Sequence, residues 1–515
     1  MKIILPVSIA LLFTFVPTYS MEKIENFFHH QHHHTTTKAT NSSDAYYSKD
    51  ISEGKKKFLI NRLPIVKAAL EKMLNRSLNN KKIPNIALVC SGGGYRAMLC
   101  TTGSLCGAKK IGLLDATQEI AALSGSTWAV APWISTKLPI KKFKEYIQTC
   151  AAKPFEELTL EEEKLIAAAF AVKNAYHQSL TLVDPYGFLL GNRLLDALAD
   201  KRQSTTLSDQ AQTVESGAYP YPSYAAIDGR DEIITGQTWY KFTPHTIENL
   251  TNNIQIPTHL YGKKFEKGKV DADDNTPEKP LAYSLATCGS AFAASIHTIL
   301  QQVIHNHLVL EIIEKFLPAS IDGDRLLPFW AKVPNYMYQM ENVHDKNLSE
   351  KKNLKLVDAG LSGLNLPFPA IAHADIIIFL DASGGQMGKQ LQRAAAYAKD
   401  HNLPFPAIDS DTVGQKTFSI FKDEQNSSAP VVMYLPRISD PVLWEENRNK
   451  EDFGHYNLLN FNLDRETREG FAKTQHFQYT PEHSTLVMNQ TEFNMRVNKD
   501  NIINAIDEWI IKNNS

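Results

Sequence analysis

The chain has 515 residues, 43% of them hydrophobic and 21% charged, and a formal net charge of −2. That is enough apolar material for a large buried core, which excludes a disordered chain. The near-neutral balance leaves no basic footprint for nucleic acid.

In chain order, Lys2, the apolar run Ile3–Val16, Pro17 and the small residues Thr18 and Ser20 read as an export signal over 1–20. The run is shorter than the roughly 20 residues a spanning helix needs, so an uncleaved anchor is the weaker alternative. Export predicts a secreted or periplasmic protein. Residues 21–57 read as a flexible segment with a tract at His29, His30, His32, His33 and His34. Such a tract is able to bind metal, but a linker is the commoner role. Cys90, Cys100, Cys106, Cys150 and Cys288 have neither C-x-x-C spacing nor the pattern of a disulfide framework, so buried thiols are expected and no metal site.

The globular part is placed at 58–515, opening with an amphipathic helix from Phe58 through Leu78. Strand Ile86–Cys90, helix Arg96–Lys110, strand Glu119–Leu123 and a helix from Thr127 through Ile134 predict a parallel pair with a crossover. Leu158–Leu180 predicts a helix. The stretch 180–345 mixes short strands, aromatic turns and a polar loop, and is where a lid or other insertions would lie. Leu354–Val357, Ile376–Leu380 and Val431–Leu435 predict further strands. With no internal repeat or heptad, the chain reads as one large α/β domain with insertions.

Two strand ends carry chemistry. After the first comes Ser91-Gly92-Gly93-Gly94-Tyr95-Arg96-Ala97-Met98. A glycine loop between strand and helix presents backbone N–H groups to an anion. Gly92-x-Gly94-x-x-Ala97 with Asp115 also fits a dinucleotide fingerprint, although Asp115 precedes the second strand, whereas a ribose-binding acid belongs at that strand's end. The missing Gly-Lys-Ser/Thr excludes a P-loop. Arg96, in the first turn of a helix whose dipole opposes it, suits an anionic ligand.

After the second strand comes Leu123-Ser124-Gly125-Ser126, a strand-to-helix turn of small residues that would expose a serine hydroxyl. Ala122 and Ser126 stand where the G-x-S-x-G pattern has glycine, and a plain helix-capping serine is the competing reading. A serine nucleophile needs a base. Asp358 and Asp381 both end apolar runs, and local pattern leaves both open. His373, nearest to them in sequence, reads as a surface-loop residue.

Together, Ser91–Met98, Leu123-Ser124-Gly125-Ser126-Thr127-Trp128 and Val357-Asp358-Ala359-Gly360-Leu361 resemble the lysophospholipase/cytosolic phospholipase A2 catalytic-domain family. Asp184-Pro185-Tyr186-Gly187, Gly289-Ser290-Ala291-Phe292 and Asn365-Leu366-Pro367-Phe368-Pro369 reinforce the resemblance, which runs from about residue 84 to about 480. It implies a patatin-like three-layer α/β serine acyl hydrolase with a central mostly parallel sheet and helical insertions.

The resemblance further implies Ser124 as nucleophile, Asp358 as base, Gly93 and Gly94 as oxyanion donors and Arg96 as the holder of the lipid phosphate. It implies no cofactor or metal. The partner would be a phospholipid at a membrane or micelle surface, met by peripheral contact without a calcium-dependent targeting module. The Tyr95 form of the first motif points to the secreted phospholipase B branch. A non-catalytic lipid-binding protein on the same fold and a dinucleotide-dependent oxidoreductase are the rival readings.

Overall fold

Ile86–Cys90 is buried on both faces, as a run of apolar residues at the centre of a parallel sheet requires. The computed structural model describes residues 44–47, 51–154, 159, 180–229, 238–295, 330–341, 343–450 and 452–515. The segment 1–20, the histidine tract and most of the helix expected at Leu158–Leu180 lie outside them. Twelve strands form the main sheet: β1 Tyr46–Tyr47, β2 Ile86–Cys90, β3 Glu119–Ala122, β4 Tyr221–Asp228, β5 Trp239–Phe242, β6 Thr246–Asn249, β7 Ile254–Pro257, β8 Ala331–Pro334, β9 Asn353–Asp358, β10 Ile376–Asp381, β11 Ser419–Phe421 and β12 Val431–Pro436. Their order is β1-β7-β6-β5-β4-β3-β2-β10-β12-β11, with β9 paired to β4 and β8 to β9.

The central block β4-β3-β2-β10-β12 is parallel. Antiparallel strands flank it, β5 on one side and β11 on the other. Parallel neighbours need crossovers, and α2 (Gly94–Lys110) supplies the one between β2 and β3. Side chains alternate across the sheet. Ile86, Leu88 and Cys90 enter the larger apolar cluster, whereas Ala87 and Val89 enter a second cluster on the other face. Two covered faces make the three-layer α/β/α arrangement.

Helix α1 (Glu53–Leu74) starts five residues before Phe58, because the Ser52 hydroxyl accepts the Lys55 N–H at 3.3 Å, and it stops at Asn75, whose φ is 49°. With β1, it brings part of the polar 21–57 segment into the fold. The larger cluster also takes up α3 (Thr127–Thr136), α4 (Leu281–Cys288) and α6 (Pro481–Val497). On the other face, α5 (Lys389–Asp400) packs with Phe368, Phe379 and Phe405, whose ring centroids lie 5.1–6.3 Å apart. Each such ring pair adds about 0.5–1.5 kcal/mol beyond simple burial.

Candidate active site

The glycine loop and the serine turn meet at the carboxyl edge of β2 and β3, where Cys90 pairs with Ala122. Gly93 and Gly94 take φ of 145° and 60°, values that a residue with a Cβ adopts only under strain. Their N–H groups meet no backbone acceptor among the described residues. A Cβ on Gly125 would collide with the Gly94 carbonyl, so the two motifs touch through backbone. Ser124 has φ 52° and is 3% exposed. A left-handed serine between strand and helix is a strained turn of the kind that presents a nucleophile.

Ser126 explains why this turn does without the second glycine. Its hydroxyl accepts the Leu123 N–H at 2.8 Å and lies 2.8 Å from the Cys90 carbonyl, fastening the turn to the end of β2. Ala122 is also accounted for. Its methyl group belongs to the larger apolar cluster, with Cys90 and Tyr224 as its sheet neighbours, so the core absorbs the extra carbon.

Asp358 reaches the same place from the opposite direction. β3 is short, and its last residue, Ala122, pairs with Tyr224 of β4. Beyond that point β9 takes over the edge of β4, running antiparallel, and Asp358 pairs with Ala226. Ser124 lies beside the Asp358 carboxylate, close enough to lower its pKa. Gly360 N–H donates to Oδ1 at 2.9 Å, and the Ala291 backbone N–H nearby also favours the carboxylate. Asp358 is 1% exposed, and burial outweighs these neighbours, raising its pKa from 3.8 to about 6. The Ser290 hydroxyl accepts the Asp358 backbone N–H at 3.0 Å. The Gly289–Phe292 motif thus positions Asp358, a role not read from sequence.

Asp381 is committed elsewhere. It accepts Tyr434 OH at 2.7 Å and the Ser383 N–H at 2.9 Å, which shapes the loop after β10. Arg96 is fully buried behind the glycine loop. Its Nε and Nη1 donate to the Ala382 and Ala472 carbonyls, both at 2.8 Å. Its Nη2 has no partner among the described residues. Burial and nearby Arg437 lower its pKa to about 10, so it keeps its charge at neutral pH.

Asn365, missed as a functional residue in sequence, joins three loops. Its Nδ2 donates to Gly92 O at 3.0 Å and to Ser383 Oγ at 2.7 Å, and its carbonyl accepts the Gly92 N–H at 3.3 Å. His373, half exposed, instead contacts Glu119 at 2.7 Å, at the opposite end of β3 from Ser124. Asp115 pairs with Lys109 at 2.8 Å, away from the loop. The dinucleotide geometry is therefore not assembled. Among the described residues, no group of His, Cys, Asp and Glu could hold a metal.

A cavity of about 770 Å³ opens beside the site. Ala291 and Phe292 form part of its wall, as do Thr474 and Phe477. Phe292 and Phe477 pack with Trp128, at centroid distances of 6.0 and 6.5 Å. An apolar aromatic wall therefore stands next to a buried Ser–Asp pair.

The family model described as the lysophospholipase catalytic domain matches residues 86–436. The chain belongs to that family. Cytosolic phospholipase A2 zeta of Mus musculus is 24% identical, the alignment covering 89% of this chain and 61% of the relative. Cytosolic phospholipase A2 gamma of Homo sapiens is 24% identical over 73% of this chain and 82% of its own. The chain thus spans about three-fifths of the mouse zeta protein's length.

Among solved structures, the fold is similar to human GIVD cytosolic phospholipase A2, with a TM-score of 0.78 at 18% identity, over 92% of this chain and 69% of that one. The same human protein in complex with methyl gamma-linolenyl fluorophosphonate gives 0.69 at 20% identity, over 92% and 67%. The lysophospholipase family and its patatin-like α/β fold agree with the sequence reading.

The reading of a secreted or periplasmic protein is overturned, because these relatives are named as cytosolic phospholipases A2. It rested on the composition of one short apolar segment, which is a poor guide to compartment by itself. All five cysteines are buried free thiols, so no disulfide speaks for an oxidising compartment.

Proposed function

We propose that this lysophospholipase-family chain hydrolyses acyl esters of glycerophospholipids and lysophospholipids through an acyl-Ser124 intermediate, with Asp358 as its base. One observation carries the reading: Ser124 neighbours a buried carboxylate whose pKa burial raises to about 6. Among the described residues, no histidine hydrogen-bonds to either group.

The steps follow from that geometry. Asp358 takes the hydroxyl proton as Ser124 Oγ attacks the ester carbonyl carbon. The oxyanion that forms is held by the N–H groups of Gly93 and Gly94, which have no other acceptor among the described residues. Collapse expels the lysolipid or glycerol alkoxide, which receives the proton from Asp358. Water then attacks the acyl-serine, Asp358 removes its proton, and fatty acid leaves as Ser124 recovers its own. A raised pKa makes the carboxylate a stronger base while leaving it ionised at pH 7–8.

The acyl chain would lie against Phe292 and Phe477. Arg96 holds the Ala382 and Ala472 carbonyls and keeps Nη2 as the donor for a lipid phosphate that reaches the glycine loop. The catalytic unit would be 58–515, with its insertions within 180–345. Substrate would be met at a lipid surface by peripheral contact.

The test is labelling by a fluorophosphonate probe, with the modified peptide identified, together with mass-spectrometric products from defined phospholipids and lysophospholipids. Adduct on Ser124 and released fatty acid are expected. Folded protein that neither labels nor releases fatty acid would overturn the reading in favour of lipid binding without catalysis.

A further inference from the structure

One wall of the cavity is the segment Lys473–Gln478, whose Phe477 packs on Phe292 with ring centroids 5.2 Å apart. Among the described residues lining the cavity, Lys473 is the only lysine or arginine and none is a carboxylate. Lys473 is exposed and makes no ion pair or side-chain hydrogen bond among the described residues. Gln475 and Gln478, also exposed, add neutral amide groups to the same wall. Among the described residues this ammonium has no compensating charge, and such a group favours an anion and disfavours a second cation.

The segment is tied to the reacting groups. The Thr474 carbonyl packs against Gly94, with 2.5 Å to the position a Cβ would occupy, and Phe292 lies 3.6 Å from the same position. The Ala472 carbonyl, one residue before Lys473, holds Arg96. Ala291 lines the cavity, and its backbone N–H lies beside Asp358 and lowers its pKa. An ester at Ser124 with its acyl chain on Phe292 and Phe477 therefore has its glycerol and headgroup in the same cavity that Lys473 lines. Arg96 is buried with Nη2 behind Gly93 and Gly384, so an entering headgroup meets exposed Lys473 before its phosphate reaches Arg96.

We infer that Lys473 is a headgroup-selecting residue, favouring glycerophospholipids with a net anionic head (a phosphate monoester or a phosphoglycerol) over those whose phosphate is balanced by choline. This rests on the phospholipase reading of Ser124 and Asp358 and deepens it. The ammonium attracts either kind of phosphate but repels a quaternary ammonium beside it.

The experiment compares kcat/KM for lysophosphatidic acid, lysophosphatidylglycerol and lysophosphatidylcholine of one acyl chain. The substrates are presented at equal mole fraction in neutral detergent micelles, with added inorganic phosphate as a competitor. The full chain is expected to prefer the anionic pair. In Lys473→Ala the anionic-to-choline ratio should fall about tenfold, the usual scale for one charge-assisted contact. Lys473→Glu should fall further, and Lys473→Arg should restore the ratio. Inorganic phosphate should inhibit the wild type more than Lys473→Ala.

An unchanged ratio in both Lys473→Ala and Lys473→Glu would overturn the inference while leaving the phospholipase reading standing. Inhibition by phosphate with no change in lipid preference would mean that a free-anion site was found instead, and would equally overturn it. No release of fatty acid from any of the three lipids by the wild type would remove the functional reading itself, and the inference with it.

Discussion

Ser124 and the Asp358 carboxylate are neighbours because both are set by the same strand. β4 pairs with Ala122 at Tyr224 and with Asp358 at Ala226, two residues further along. The serine turn begins where β3 ends, and β9 descends onto the vacated edge of β4. Neither residue owes its position to a flexible loop, which is the condition for a pair held ready to react.

Removing either partner should end turnover. Ser124→Ala deletes the nucleophile, and Asp358→Asn keeps the shape of the base but cannot accept the proton. Each is expected to lower kcat/KM for a lysophospholipid by about a thousandfold or more, the upper range for a positioned base or nucleophile. Initial rates with circular dichroism as a folding control decide the point. Residual activity within about tenfold of wild type in either variant would sink the dyad.

Asp358 should also write its pKa into two pH profiles, with opposite signs. Turnover needs the carboxylate, so kcat/KM should fall as pH drops through about 6. Stability runs the other way. The folded pKa of about 6 lies above the unfolded 3.8, so the group's relative stability is fully present below the unfolded value and is lost as pH rises through the folded one. A difference of roughly two units corresponds to about 3 kcal/mol at most. Asp358→Asn is therefore expected to melt a few degrees above wild type at pH 8, and the gain should vanish near pH 4. Melting curves at four pH values, read beside the rate profile, check both signs.

Much of this was legible in the residues because apolar runs end in chemistry. Ile86–Cys90, Glu119–Ala122 and Ile376–Asp381 stop within a residue of the expected points, and the loops after them carry the site. Local pattern could not separate Asp358 from Asp381, since both cap strands. The separation comes from long-range pairing, with β9 turned antiparallel onto β4 and Tyr434 occupying Asp381. Asn365 and Ser290 were also invisible as positioning residues, because their partners, Gly92 and Asp358, are distant in the chain. Arg96 shows the limit from another side: its place in the motif indicated an anion, and its burial against two carbonyls appears only in three dimensions.

Gly94 offers a sharp test of the oxyanion reading. Alanine there must adopt φ 60° and bring its methyl group to 2.5 Å from the Thr474 carbonyl, a backbone atom with little freedom to move. Either the loop shifts and an N–H donor is misaimed, or strain of about 1–3 kcal/mol is stored. Gly94→Ala should lose about a hundredfold or more in kcat, as loss of an oxyanion donor does. KM should change far less. Tm measured alongside separates misaiming from unfolding, and a variant with wild-type kcat would show that Gly94 N–H takes no part.

Asn365 should act on rate through the two loops that its own loop is tied to. Asn365→Ala removes the donor to Gly92 O and Ser383 Oγ, leaving buried acceptors unmet at about 1–3 kcal/mol. It should lower kcat by about tenfold through a looser glycine loop. Asn365→Asp keeps the shape but replaces the donor with a charge. Asn365 Oδ1 and Asp358 Oδ1 both approach Gly360, to 3.0 and 3.2 Å of its Cβ position, so the new carboxylate would face the base closely. Like charges so near raise a pKa. The acidic limb of kcat/KM in Asn365→Asp should therefore move up by about one pH unit, whereas Asn365→Ala should leave its midpoint in place. A residue that merely supported the fold would lower activity in both variants without moving that midpoint, and the rate profile distinguishes the two.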